Sequence, residues 1–345
     1  TKEKVLSATD PGRGRKASLA VHSTARGRAV GGCRMWSCPC AAEAVTDVLR
    51  LSQGMSYKNI MADLPIGGGK SVIMKPEGDF DRQALFEAFG RALESLNGQY
   101  ISAEDVGVSP DDMVAARRTT RHVVGLPDGT GDPSPVTAKG VFMGIQAAAA
   151  RGLGSEDLKG VKIAVQGATG HVGAYLVRHL AEAGAELHLA DIREAELKAI
   201  AKETGAKVVE DPNAIYDVDA DIFTPCALGA IINPNTIDRL KVKVVAGAAN
   251  NQLETRDMGA ELVKRGILYA PDYVINAGGI INVMGEIDPR FDAKWVEGKL
   301  HTLKATLGEI MDTAARENRP SNIVADEIAR QRLADAAEQK ALAAE

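Results

Sequence analysis

The stretch VKIAVQGATGHVGAYLVRHLAEAGAELHLAD, residues 161–191, decides the fold. VKIAVQ (161–166) is a short apolar run of the kind buried in a parallel sheet. AYLVRHLAEAGA (174–185) repeats apolar positions at helical spacing, and ELHLAD (186–191) is a second strand. Gly167, Gly170 and Gly173 fall between the first strand and the helix, with His171 and Val172 among them. Glycines there allow a tight turn and let backbone approach a pyrophosphate, whose charge rests on the helix N-terminus. Asp191 closes the second strand, where an acid accepts hydrogen bonds from an adenosine ribose. Strand, glycines, helix and acid together point to NAD as the cofactor. Asp191 would repel a 2'-phosphate, and Arg193 is the nearby feature that softens this discrimination against NADP. The spacing is G-x-x-G-x-x-G, with one residue more than the usual G-x-G-x-x-G. The plainer alternative is a glycine-rich helix start that only packs closely.

The same rhythm continues downstream. DADIFTPC (219–226), VKVVAGAAN (242–250) and GILYAPDYV (266–274) read as further strands. This is the pattern of a doubly wound parallel sheet. The tail beyond about residue 290 is strongly helical and is expected to return to the first domain. Upstream, TAKGVFMGIQAAAARG (137–152) is a helix, and GLPDGTGDPSP (125–135) is a hinge or domain boundary, with Pro133 and Pro135 fixing it. Residues 16–36 read as a strand pair turning at Arg26-Gly27. Residues 41–54 read as a helix ending in Gly54, and VIMKP (72–76) as a strand. FDRQALFEAFGRALESLNG (80–98) is a helix, YISAED (100–105) a strand ending on two acids, and SPDDMVAARR (109–118) a capped helix.

The chain has 345 residues, 45% apolar and 25% charged, with a formal net charge of −5. The length suggests two domains. The absence of a basic block argues against nucleic acid as the main partner. No apolar run is long enough to cross a bilayer. The first residues lack the apolar core of a signal peptide, so the expected compartment is the cytoplasm. Cys33, Cys38 and Cys40 lie close together, and Cys226 stands apart. Their spacing is not a paired zinc motif and no histidine is near, so reduced packing cysteines are expected and no metal.

The segment GMSYKNIMADLPIGGGKS (54–71) carries the second chemical signal. Lys58 and Lys70 flank the glycines Gly67 to Gly69, which read as a loop that approaches a ligand. A lysine held there, desolvated or beside another cation, can serve as a base. A P-loop is disfavoured, because Leu64 stands where that motif has its first glycine. The plain alternative is a surface turn with two solvated lysines.

Taken together, the chain resembles the amino-acid dehydrogenase family that acts on glutamate, leucine, phenylalanine and valine, with the leucine branch nearest. The resemblance rests on GGCRMW (31–36), GMSYKN with GGGKS (54–71), AEDVG (103–107), PSPVTAKGV (133–141), PCALGAIIN (225–233), GAANNQL (247–253) and YAPDYVINAGGIIN (269–282). It implies an α/β fold of two domains. The first, residues 1–124 with 321–345, would hold substrate and oligomer contacts; the second, 125–320, would be the Rossmann-type NAD domain. It implies reversible NAD-dependent oxidative deamination of an L-amino acid to its 2-oxo acid and ammonia, and a homo-oligomer. By resemblance, Lys58 binds the substrate carboxylate, Lys70 is the catalytic base and Asp105 shuttles protons. Asn250 and Asn251 lie near the nicotinamide ribose and the substrate, and Thr137 faces the nicotinamide amide. Asn276 contributes there or holds a turn. Glu104, on the opposite strand face from Asp105, is expected to be structural. A cleft closing about residues 125–135 is expected.

The same resemblance places Val30, Gly31, Ala103, Ile280 and Val283 around the substrate side chain. None is charged, and Val30 stands where a glutamate-specific member would carry a lysine. An apolar, branched-chain substrate is therefore expected, with an aromatic one (phenylalanine or tryptophan) as the alternative. A non-catalytic NAD-binding sensor is the remaining possibility, opposed by the retention of Lys58, Lys70 and Asp105.

Overall fold

A computed structural model describes residues 3–9, 16–127 and 129–343. Its chain forms two compact units: residues up to 131 with 283–292 and 329–345, and residues 132–282 with 293–328. The sequence reading put 283–292 in the second domain. That segment groups with the first unit, where Glu286 accepts hydrogen bonds from the Gly125 and Thr130 backbone N–H groups, at 2.7 and 3.0 Å. Part of the expected hinge, Asp128, lies outside the described residues.

The first unit holds β1 (Lys4–Thr9), β2 (Lys16–Ser23), β3 (Ala29–Trp36), α1 (Ala41–Met61), β4 (Gly67–Met74), α2 (Arg82–Glu94), β5 (Tyr100–Glu104) and α3 (Pro110–Arg117). Its sheet runs β1-β2-β4-β3-β5. The expected β2–β3 pair does not form, because β4 lies between them, antiparallel to β2 and parallel to β3. Glycine is the reason. A Cβ on Gly67 would sit 1.9 Å from Ser23 O and 3.0 Å from Gly27 O, so only a bare backbone threads beneath the β2–β3 turn. Gly67 to Gly69 are thus the start of a central strand and not the expected loop. Helix α1 also departs from expectation, running through Gly54 to Met61. Its face stays buried beyond the glycine, at Ser56, Asn59 and Ile60, and packing overrides the helix cost of glycine, about 1 kcal/mol. Asp81 caps α2, and Ser109 with Asp112 forms a capping box on α3. The core beneath the sheet gathers Leu19, Cys33, Ile73, Phe86, Phe89 and Tyr100.

The second unit holds α4 (Ser134–Gly152), β6 (Lys162–Gln166), α5 (His171–Glu182), β7 (Glu186–Ala190), α6 (Glu194–Thr204), β8 (Lys207–Val208), β9 (Ile222–Pro225), β10 (Val244–Val245), α7 (Met258–Lys264), β11 (Leu268–Tyr269) and α8 (Asp272–Ile275). Three more helices follow: α9 (Gly278–Ile287), α10 (Ala293–Glu317) and α11 (Ser321–Leu342). Helices α9 and α11 each carry the chain from the second unit into the first. Every strand pairing in this sheet is parallel, in the order β11-β10-β9-β6-β7-β8. The order reverses between β6 and β9, the place where doubly wound sheets hold ligands. Strands β9 to β11 are shorter than the sequence suggests, and residues 272–275 turn helical after Pro271. Helix α4 begins at Ser134 because Pro135 is tolerated in a first turn, so this proline starts a helix and does not stiffen a hinge.

Candidate active site

Strand β3 lies between β4 and β5, so β4 residues reach the end of β5 only across it. Lys70 on β4 and Asp105 just after β5 form an ion pair over β3 at Gly32. A Cβ on Gly32 would stand 2.7 Å from Asp105 Cβ and 3.3 Å from Lys70 Nζ. The bare backbone is what lets the two charges meet, and the sequence reading, which singled out Gly31, missed it. Its signal was present in the paired glycines of GGCRMW. Lys70 is only 7% exposed, so the solvated surface turn is excluded. Burial opposes the charge on Asp105. The ammonium of Lys70, the Val106 backbone N–H and Arg34 outweigh it and hold the carboxyl below the usual carboxylate range.

Beneath this pair lies a buried hydroxyl network. Tyr100 Oη donates toward Gly31 O at 3.1 Å and Gly32 O at 3.3 Å, and lies 2.9 Å from Ser71 Oγ. Burial pushes the Tyr100 phenol upward, so it stays neutral and fixes the β3 carbonyls under the Lys70 strand. Lys58 occupies the last turn of α1, half-buried. Its neighbour Asn59 donates to Gly67 O at 2.7 Å and clamps the end of α1 onto β4. Gly68 meets the same helix, since a Cβ there would lie 2.1 Å from Ser56 N. Val30 is fully buried, Gly31 packs on Gly69, and Ala103 is half-buried on β5. Cys33 is buried in the core with its thiol pushed up by burial, while Cys40 is exposed. Among the described residues no cluster of His, Cys, Asp and Glu could hold a metal ion.

In the second unit the carboxyl ends of the strands gather the other expected residues. Gly167 follows β6 with φ +78°, and its missing Cβ would stand 2.8 Å from Ala227 Cβ across the switch point. Gly170 begins α5 with no side-chain cap, so the first-turn N–H groups of His171, Val172 and Gly173 have no intrahelical acceptor. Gly173 lets the helix close on the loop, since its Cβ would meet Gly167 O at 2.1 Å. Asp191 follows β7 and accepts from the Thr169 N–H at 3.0 Å and the Arg193 N–H at 3.1 Å. Burial opposes its charge, but Thr169 and Arg193 outweigh burial and keep the carboxyl low. Asp191 thus also braces the longer glycine loop, a second task its position alone did not reveal. Arg193 is engaged by Asp191 at 3.6 Å and Glu196 at 3.0 Å.

Asn250 and Asn251 sit in the loop after β10, Asn251 with φ +52°. Asn276 Nδ2 donates to Asn250 Oδ1 at 2.6 Å and to Ala248 O at 3.1 Å, while its buried Oδ1 has no partner among the described residues. Gln252, absent from the expected set, is fully buried and donates to Gly247 O and Ala249 O, both at 2.9 Å, so it shapes this loop. Thr137, in the second turn of α4, donates to Pro133 O at 2.9 Å and lies against Gly278 and Gly279. Ile280 and Val283 fall on α9, both half-buried. Ile192 and Leu228, after β7 and β9, are 86% and 72% exposed, unusual for apolar side chains beside a glycine loop. A glycine cradle, uncapped helix N–H groups, a low-lying carboxylate, an orphaned amide oxygen and two bare apolar residues fit a dinucleotide.

Residues 3–122 match the family described as Glu/Leu/Phe/Val dehydrogenase, dimerisation domain, and residues 186–341 match Glutamate/Leucine/Phenylalanine/Valine dehydrogenase. The chain is 45% identical to leucine dehydrogenase of Thermoactinomyces intermedius over 96% of its own length and 90% of that protein. It is 46% identical to phenylalanine dehydrogenase of Bacillus thermotolerans over 83% of its length and 76% of that protein. The crystal structure of L-tryptophan dehydrogenase from Nostoc punctiforme superposes with a TM-score of 0.87 at 40% identity, covering 97% of this chain and 96% of that one. The chain belongs to the Glu/Leu/Phe/Val dehydrogenase family. It is an NAD-dependent amino-acid dehydrogenase.

Proposed function

We propose that this enzyme reversibly deaminates a branched-chain L-amino acid of the leucine or valine type to its 2-oxo acid and ammonia. The observation that carries the reading is the buried Lys70–Asp105 pair across Gly32. Bound NAD supplies the oxidant that takes the hydride from the substrate α-carbon. Lys58 holds the substrate carboxylate by charge. Lys70, once its ammonium has lost a proton, takes a proton from the water that attacks the iminium carbon. Asp105 takes a proton from the substrate ammonium and returns it to the departing amine. Burial of Lys70 limits competing water and strengthens each of these contacts.

The cofactor would rest its pyrophosphate on the N–H groups of His171, Val172 and Gly173, with Gly167 and Gly170 shaping the turn. Asp191 would accept from the ribose hydroxyls, and the exposed Ile192 and Leu228 would offer an apolar surface to the adenine. Thr137, Asn250 and Asn276 serve the nicotinamide end, with the free Oδ1 of Asn276 as an acceptor there. Asn251 serves the substrate. Specificity is assigned to Val30, Gly31, Ala103, Ile280 and Val283, which carry no charge to pair with a glutamate side chain. Similarity to leucine dehydrogenases over nearly the full chain supports the branched-chain substrate, and similarity to the phenylalanine and tryptophan enzymes keeps an aromatic substrate as the second reading. The match to a dimerisation domain supports a homo-oligomer. The compartment assigned is the cytoplasm, which supplies NAD and keeps thiols reduced. Among the described residues no helix is long and apolar enough to cross a membrane.

The roles are tested by Lys70→Ala and Asp105→Asn, assayed for turnover and, separately, for NAD binding by fluorescence. Loss of turnover with unchanged NAD affinity supports them. Full turnover in Lys70→Ala removes the base assignment.

A further inference from the structure

Side chains alternate along a strand, so Arg34 lies on the same face of β3 as Gly32, two residues earlier. That face carries the Lys70–Asp105 pair. Arg34 Nε stands 3.9 Å from Asp105 Oδ2, beyond hydrogen-bond reach, and is buried with no partner among the described residues. The other end of the guanidinium leans toward α1, where Nη1 lies 3.5 Å from Asp47 Oδ2. A buried N–H donor left idle beside an ionised carboxylate costs free energy unless that contact is made in another state.

We propose that Arg34 is a positioning residue for the proton cycle, taking over Asp105 when Lys70 gives up its proton. The inference rests on the roles proposed above for Lys70 and Asp105. An ammonium paired with a carboxylate resists deprotonation, because losing the proton strands the carboxylate charge. A second cation poised one short step away removes that obstacle. Asp105 swings from Lys70 to Arg34 Nε, the Lys70 proton passes to water, and Asp105 stays ionised during this handover, before it takes up a substrate proton. Asp47 restrains Arg34 by drawing its other end away.

The remaining titratable groups around the pair do not compete. Burial pushes both Cys33 on β3 and Tyr100 on β5 upward, so they stay neutral. Asp112 on α3 is committed to Arg82, with Nε to Oδ1 at 2.6 Å. The charged residues of α1 are Glu43, Asp47, Arg50 and Lys58, and Glu104, which ends β5, is exposed.

The test is the pH profile of kcat/KM for deamination in Arg34→Gln, Arg34→Lys and Asp47→Asn, with Lys70→Ala alongside. Arg34→Gln is expected to move the acid limb upward by about one pH unit, with activity returning in strong alkali. Arg34→Lys keeps a cation and is expected to restore much of the original limb. Asp47→Asn frees Arg34 and is expected to move the limb downward, a readout that survives even if Arg34→Gln folds poorly. Limbs that stay in place in both Arg34→Gln and Asp47→Asn, while Lys70→Ala is dead, overturn this inference alone. Turnover surviving in Lys70→Ala overturns the lysine assignment and this inference with it.

Discussion

At the residue scale the site depends on an absence. Gly32 has no side chain, and that is why a lysine from β4 and an aspartate after β5 can touch across β3. Gly32→Ala puts a carbon 2.7 Å from Asp105 Cβ, where one partner must move. A misplacement of about 1 Å at reacting groups costs about a hundredfold in rate. The expected outcome is a loss of that order in kcat, with NAD affinity unchanged, read from steady-state kinetics and fluorescence titration. The carboxylates also set an acid limit. Asp105 and Asp112 have folded values held below their unfolded ones. Groups of that kind stabilise the fold above the unfolded value and lose their contribution as pH falls through the folded one. Urea midpoints are therefore expected to be level near neutrality and to drop below about pH 4. The residues most visible in the sequence were the charged ones, since Lys58, Lys70 and Asp105 announce chemistry by type. Gln252 and Arg34 were not legible, and Gly32 showed only in the paired glycines of GGCRMW, because their parts follow from what lies opposite them after folding.

At the scale of elements, the glycine loop between β6 and α5 was legible down to single residues. Strand, turn and helix are adjacent in the chain, so local spacing reports them directly. The first sheet was less so. A strand pair was expected where β4 lies between β2 and β3, and Gly67 to Gly69 looked like a loop. Bare glycines in a strand carry no apolar alternation, and their purpose is close approach to α1 and the β2–β3 turn. The short strands β9 to β11 were overdrawn, because apolar residues continue past the last ladder hydrogen bond into the loops that carry Asn250 and Asn276. Gly173→Ala tests the loop itself. Its Cβ would meet Gly167 O at 2.1 Å and open the turn beneath the pyrophosphate. NAD affinity is expected to fall about tenfold or more, with a lowered urea midpoint from the strained turn; an unchanged affinity would mean the cofactor rests elsewhere.

At the scale of the whole molecule, the two units differ in sheet pattern. One sheet is mixed and carries the lysine pair, and the other is fully parallel and carries the dinucleotide edge. A ligand that binds only the folded protein stabilises it, by about 2.7 kcal/mol at a hundredfold excess over Kd. Adding NAD is therefore expected to raise the melting temperature, and the same concentration of NADP to raise it less, because Asp191 meets a 2'-phosphate. Equal shifts from the two cofactors would show that Arg193 escapes Asp191 and Glu196 in solution.

The central claim, that the chain deaminates a branched-chain amino acid with NAD, is tested most directly by NADH formation at about pH 10, where a lysine amine can be neutral. Leucine, valine, isoleucine, phenylalanine, tryptophan and glutamate would be supplied one at a time, with NADP in a parallel series. The account predicts the highest kcat/KM for a branched-chain substrate with NAD and none of consequence for glutamate. A preference for phenylalanine or tryptophan would contradict the specificity assignment, and no NADH from any substrate by a protein that binds NAD would contradict the account as a whole.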